Sequence, residues 1–213
     1  MPQAPRPKPG TPGRPKDMQK RAAILAAATR LFLQDGFERV NMDQIAADAG
    51  VSKLTVYSHF GDKDRLFIEA VRAHCEQSVP DRLFQPRPDL PLRKHLINIG
   101  TAFFAMVMTP EAIAGFRILC SPQAVGGGLP LLAWEAGPKH LQEAFTELLQ
   151  RRIATGELEI ADPAAAAGHF FTLLKGEPHA QAVVGVCCGP RPPSPKAHVA
   201  SVVDLFLRAY GKR

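Results

Sequence analysis

Apolar residues in this chain recur every three and four positions, and runs of alternating β-branched residues do not occur. A half-buried strand needs a period of two and an amphipathic helix one of 3.6, so the spacing predicts an all-α protein. Hydrophobic residues are 46% of the 213 and charged residues 22%, which is enough apolar material for a real core and too much for a disordered chain.

Starts and stops divide this helical pattern. Over residues 16–34, Ile24, Ala28, Leu31 and Phe32 make one stripe, and Gly36 supplies the stop. Asn41 with Gln44 three residues on forms a capping box for a second helix, which Gly50 closes. Ser52 caps a third helix reaching about residue 59. Asp62 caps a fourth, residues 63 to about 78, with Leu66, Phe67, Ala70, Val71 and His74 at helical spacing. The proline-rich link "PDRLFQPRPDLP" then separates a small head from a larger body. In the body, helices are expected over 92–108, 110–119, about 129–155 with a break at Gly137-Pro138, 163–186 and 195–210. Asp162-Pro163 and Ser194-Pro195 are start signals. The total is about nine helices.

The formal net charge is +6, which favours an anionic partner. The first sixteen residues, "MPQAPRPKPGTPGRPK", hold four cations, no acid and many prolines. They can form neither a helix nor an apolar signal core, and read as a disordered basic arm. The longest uncharged helical stretch, residues 96–108, falls short of the ~20 residues that cross a bilayer; no membrane partner and a cytoplasmic location are expected. Cys75, Cys120, Cys187 and Cys188 have no CxxC pair and no histidine spacing suited to zinc, so reduced, mostly buried thiols and no metal or cofactor are expected. Redox sensing by the adjacent Cys187 and Cys188 stays open. Neither a Gly-x-Ser-x-Gly elbow, a His-Glu-x-x-His pair nor a dinucleotide fingerprint occurs, and no enzymatic activity is expected. The glycine-rich "SPQAVGGGLP" lacks the Lys-Ser/Thr ending of a phosphate loop.

The second and third helices carry the sharpest functional signal. Two short helices cross closely only where the residue at the crossing is small, and the turn between them needs a residue tolerant of positive φ. Ala46 and Gly50 meet those demands, and Ile45, Ala49, Val51 and Val56 supply the apolar lock. With Val56 and Phe60 inward, Lys53, Leu54, Thr55, Tyr57 and Ser58 face outward. That polar rod suits a major groove ~12 Å wide, although a merely solvated helix would show the same polarity.

"MDQIAADAGVSKLTVYSHFGDKDRLF", preceded by "RAAILAAATRLFLQDGFERV", resembles the N-terminal domain of the tetracycline-repressor (TetR/AcrR) family of bacterial regulators, over about residues 14–71. The resemblance implies a DNA-binding set of Arg14, Asn41, Ser52, Lys53, Leu54, Thr55, Tyr57, His59 and Lys63. Lys53 and Thr55 would contact the groove, and Tyr57, His59, Lys63 and Asn41 the phosphates. Ser52 caps the reading helix. Leu54 stands where many members have a small residue, so it either meets a thymine methyl or fills space. Arg14 either enters the minor groove or contributes charge alone. The implied layout is a basic arm over 1–15, a helix-turn-helix DNA-binding domain over 16–62, a connecting fourth helix over 63–80, and a ligand-binding and dimerisation domain over 91–213.

The stretch "GFRILC...LPLLAWEAGPKHLQEAFTELLQRRIATGELEIADPAAAAGHFFTLLKG" is similar to the AefR-like subgroup of C-terminal domains. Candidate lining for a pocket taking a small, largely apolar effector is Phe103, Phe104, Val107, Met108, Phe116, Arg117, Trp134 and Phe171, residues that could equally be plain core. Arg117 needs a partner if buried: an acidic ligand, or Glu135 or Glu143, the internal ion pair being preferred. The last two helices carry Ala166, Phe170, Leu173, Leu174, Val199, Val202, Val203 and Phe206, surface expected to close a homodimer as a four-helix interface. The expected partners are thus double-stranded palindromic operator DNA, a second copy of the chain and an effector that releases the DNA. A ligand-independent architectural or activator-type DNA-binding protein would share the same head.

Overall fold

The computed structural model describes residues 15–120, 128–186 and 194–212. Arg14, Cys187 and Cys188 lie outside them, so neither the minor-groove arm nor the cysteine pair is located. Helices account for nearly all of the described chain: α1 (Pro15–Asp35), α2 (Met42–Asp48), α3 (Lys53–Phe60), α4 (Lys63–Ser78), a 3-10 turn (Asp81–Leu83), α5 (Leu92–Val107), α6 (Pro110–Leu119), α7 (Leu129–Ala136), α8 (Pro138–Ala154), α9 (Pro163–Val184) and α10 (Pro195–Tyr210). The break expected at Gly137-Pro138 is what divides α7 from α8. Among the described residues no strand forms, and one isolated bridge joins Leu158 to Gly211.

The caps are those the sequence writes. Asn41 Oδ1 accepts from the Gln44 backbone N–H, and Gln44 Oε1 accepts from the Asn41 N–H. Ser52, Asp62, Asp162 and Ser194 each accept a backbone N–H in the first turn of their helix. Such caps stabilise a helix by ~1 kcal/mol each, which matters most for α2 and α3, too short to persist alone. Gly50 turns the chain between them at φ +65, a conformation open to glycine at little cost.

Two apolar cores result. In the head, Ile24, Ala28, Phe32, Val40, Ile45, Val56, Leu66 and Phe67 are buried together, and Phe32, Phe37 and Phe67 form a triangle with ring centroids 5.1 to 5.7 Å apart. In the body, α5, α8, α9 and α10 surround Phe145, whose ring lies 4.6 Å from Phe170 and 5.2 Å from Phe171. The proline-rich link is more than a divider: Phe84 within it, and Val79 just before it, are buried in the body core. Helix α4 serves both cores, giving Leu66, Phe67 and Ala70 to the head and Cys75 to the body. The head core in turn receives Ala133 from α7.

One feature of α9 was not anticipated. Gly176 breaks the helix with φ 46 and ψ −156, and Pro178 follows. Proline lacks the N–H that would bond the Leu174 carbonyl; His198 Nε2 of α10 donates to that oxygen instead, at 2.8 Å. The kink is therefore satisfied from the neighbouring helix.

The expected dimer residues need correction. Ala166, Phe170, Leu174, Val199, Val202, Val203 and Phe206 are all buried within the single chain, because the inward stripe of each helix is consumed by the body core. Of that set only Leu173 is exposed. The outward face of α9 and α10 carries Leu173, Val184 and Leu205 instead.

Candidate nucleic-acid interface and effector cavity

Val56 and Phe60 anchor α3 to the head core. Their burial fixes the opposite side of the helix, where Leu54 is 78% and Tyr57 41% exposed and Lys53 and Ser58 are also open to solvent. Thr55 is half-buried: its N–H donates to Ser52 Oγ at 3.2 Å, and the two hydroxyls are 2.8 Å apart. Lys53 Nζ lies 2.9 Å from Asp43 of α2, and this exposed pair is the chief cause of a raised lysine pKa. Solvent screens an exposed pair of this kind, so Lys53 can exchange a carboxylate for a base edge or phosphate at little cost.

Two expected phosphate contacts have other tasks here. His59 is half-buried, with Nε2 3.0 Å from Asp17 of α1, so it ties the reading helix to α1. Lys63 Nζ sits 4.2 Å above the Phe37 ring, covering the aromatic triangle. Asn41 is exposed at the start of α2, and its carbonyl oxygen is used by the cap while its amide N–H groups have no protein acceptor among the described hydrogen bonds.

Beneath the head lie two part-open apolar chambers that share a wall, called outer where it meets α8 and α9 and inner where it meets the head core. The outer, about 500 Å³, is walled by Phe103, Val107, Phe116, Trp134 and Phe171, with Gln142, Thr172, Lys175 and His179 from α8 and α9 as its polar groups. The inner, about 210 Å³, reaches Phe32, Phe37 and Phe67 of the head triangle as well as Ala70 and Gly115. Cys75, Met106, Val107, Ala112, Phe116 and Ala133 line both. No acidic side chain lines either chamber.

Five of the eight expected lining residues are thus in place: Phe103, Val107, Phe116, Trp134 and Phe171. Phe104 is one helical step off that face and meets His198 of α10 at 5.0 Å. Met108, the C-cap of α5, packs against the body core. Arg117 makes no ion pair with Glu135 or Glu143; it is exposed, and its guanidinium donates to the Val183 and Ala182 carbonyls at 2.6 and 2.7 Å, closing the end of α9 onto α6. A cation at a helix C-terminus is favourable there because the last carbonyls lack partners. Cys120 is exposed, against the expectation of buried thiols, while burial pushes the Cys75 thiol up to about 11.

Sequence reasoning missed Lys175, His179, Gln142, Thr172 and His74. The available signal was a lone lysine and a nearby histidine in an otherwise apolar helix, and the kink at Gly176 between them kept helical spacing from relating the two. Burial, then the nearby Lys175, lowers the His179 pKa. His74 borders both the inner chamber and a surface cleft between α1 and α4. Its Nε2 is buried without a partner, and burial lowers its pKa although Glu111 opposes the shift.

A helix-turn-helix head with an exposed polar reading helix, set on a helical body with a part-open apolar cavity, is the build of a two-domain DNA-binding regulator. The chain belongs to the TetR family: residues 94–212 match the C-terminal domain of AefR-like transcriptional repressors, and residues 24–70 match the tetR family of bacterial regulatory proteins. Over 105 residues it is 32% identical to the transcriptional activator FasR of Mycolicibacterium smegmatis, covering 49% of this chain and 47% of that one. The chain spans about half or less of the length of the curated relatives it matches. Among solved structures, a TetR-family transcriptional regulator from Mesorhizobium loti is similar with a TM-score of 0.73 and 28% identity, covering 93% of this chain and 100% of that one. The flavonoid-responsive regulator FrrA is similar at 0.69 and 29%, covering 92% and 99%. These relatives are transcriptional regulators, not enzymes. No single described helix is long and apolar enough to cross a membrane.

Proposed function

We propose that this protein is a cytoplasmic repressor that binds palindromic operator DNA as a homodimer and is released by a small, largely apolar effector. The observation that carries the reading is that α1 and α4 of the head form walls of the same cavity whose other walls are α5, α6 and α7. A molecule that expands the cavity presses directly on the helices holding α3. Two heads must enter successive major grooves ~34–36 Å apart, so a small tilt of α4 changes their separation. Effector occupancy then shifts an existing two-state equilibrium, by no more than its differential affinity for the two states.

The outward face of α9 and α10, with Leu173, Val184 and Leu205, supports pairing. The AefR-like match supports repression. The likeness to an activator favours a second reading in which the same geometry activates, because sign depends on where the operator lies. Selecting bound DNA from random sequence, then titrating apolar compounds against the recovered site, tests the whole scheme. A palindrome released by a cavity-binding compound is the expected result. Tight ligand binding that leaves operator affinity unchanged would refute release, and a reporter carrying the selected site distinguishes repression from activation.

A further inference from the structure

The two chambers differ in chemistry from end to end. In the outer chamber the polar residues Gln142, Thr172, Lys175 and His179 all come from α8 and α9, the wall farthest from the head. Thr172 and Lys175 share one face of α9 before the kink at Gly176, and His179 beyond the kink lines the same chamber. Among the described residues, Lys175 is the only charged residue lining either chamber. Among the described residues no carboxylate lies within ion-pairing distance of it, and its Nζ rests 5.9 Å from the Phe116 ring, which also meets His179 at 5.0 Å. An ammonium half-buried against aromatic groups without a counter-ion is poorly compensated by the protein itself. The opposite end is apolar apart from Thr29, Cys75 and His74, and it is the smaller of the two.

We propose that the two chambers form one site for a straight-chain amphiphilic acid, with its carboxylate at Lys175 and its alkyl chain threaded past Met106 and Ala112 into the inner chamber beneath Phe32, Phe37 and Phe67. This rests on reading the cavity as the effector site and names the chemistry of its occupant. A carboxylate supplies the charge Lys175 lacks and accepts from the neighbouring imidazole or amide; charge-assisted bonds of this type are the strong ones. The inner chamber then rewards length, because its walls gain apolar contact with each methylene.

Trp134 is the only tryptophan in the chain and lines the outer chamber, so its emission reports binding without DNA. Straight-chain saturated fatty acids of rising length, kept below their micellar concentrations, are titrated beside primary alcohols and trimethylammonium amphiphiles of equal length. Affinity for the acids is expected to rise about fourfold per methylene until the inner chamber is full, with acids above alcohols and trimethylammonium compounds lowest. Lys175→Gln should weaken the acids by about tenfold or more and leave the alcohols unchanged. Gly115 lines the inner chamber alone, and a Cβ there would lie 3.4 Å from Leu33 Cδ2. Gly115→Leu should therefore shorten the longest acid that still gains affinity, and Gly115→Ala should do so less; thermal melting confirms that both variants are folded.

Acids that bind no better than alcohols, a Lys175→Gln loss shared equally by both, or a length limit unmoved by folded Gly115 variants would each overturn the assignment. Tighter binding of an ω-hydroxy acid than of its parent would also overturn it, since it would put a polar contact at His74. Acids that bind as described yet leave the selected operator occupied would sink the release mechanism while this assignment stands. Release by some other compound with no acid binding would do the reverse.

Discussion

Tyr57 and Lys63 stand on opposite sides of the same corner, one free at the surface of α3 and the other laid across Phe37. Tyr57→Phe should weaken binding to every DNA sequence alike, since a phosphate contact carries no base information. Lys63→Ala should lower the slope of log affinity against log salt by about one, if the ammonium leaves its ring to meet a phosphate. An unchanged slope with reduced head stability would assign Lys63 to the aromatic triangle alone. His95 is a residue of the body core with a different consequence. Its Nε2 donates to the Leu83 carbonyl at 2.6 Å, its Nδ1 lies 3.3 Å from Arg152, and burial is the main cause of a lowered pKa. A histidine whose folded pKa lies below ~6.5 binds more protons when unfolded, so it costs stability as pH falls below ~6.5 and is without effect above. His74 and His179 shift the same way. Melting temperature should fall between pH 7 and 5, and His95→Gln, which can keep the Leu83 bond, should flatten part of that fall; a parallel curve for the variant would remove His95 from the account.

Between helices, the closest approach is at the α7–α8 junction. A Cβ on Gly137 would lie 2.4 Å from Cys75 Sγ of α4 and 3.4 Å from Val71 Cγ1. Gly137→Ala should therefore push α4 outward, costing about 1–3 kcal/mol and weakening operator binding, and adding Cys75→Ala should restore both. Melting and operator titration of the single and double variants decide it; no rescue would mean that α4 is held elsewhere. The same junction shows what was legible in the sequence. Caps and prolines act within a few residues, so the starts of α2, α3, α4, α9 and α10 and the break at Gly137 could be read directly. The kink at Gly176 could not, because its stability depends on His198 reaching Leu174 from another helix. Nor could the periodicity of α5 tell which of Phe103 and Phe104 meets the cavity: both suit a helix that is apolar nearly all round.

At the scale of the molecule, the proposed pairing and sensing both fall to the body. The inward stripes of α9 and α10 fill the core of one chain, which is why seven of the residues first assigned to a partner are buried at home. Leu205→Asp with Leu173→Asp changes only exposed positions, so it should leave folding intact and yield monomers by light scattering, with operator affinity lost to the extent that both half-sites are needed. A variant that stays dimeric would move the pairing surface elsewhere. Among the functional residues, the polar face of α3 was legible because burial of Val56 and Phe60 dictates it, whereas Lys175 and His179 acquire meaning only when α6 folds over α9.

The inner chamber is floored by the aromatic triangle of the head, so reader and receiver are not separable parts. On the effector reading proposed above, grafting this head onto a sister body would open or fill that floor, and the hybrid would answer a different range of chain lengths even with every body residue unaltered. Drift in Phe32, Phe37 or Phe67 would retune what the protein hears without touching a residue that faces DNA.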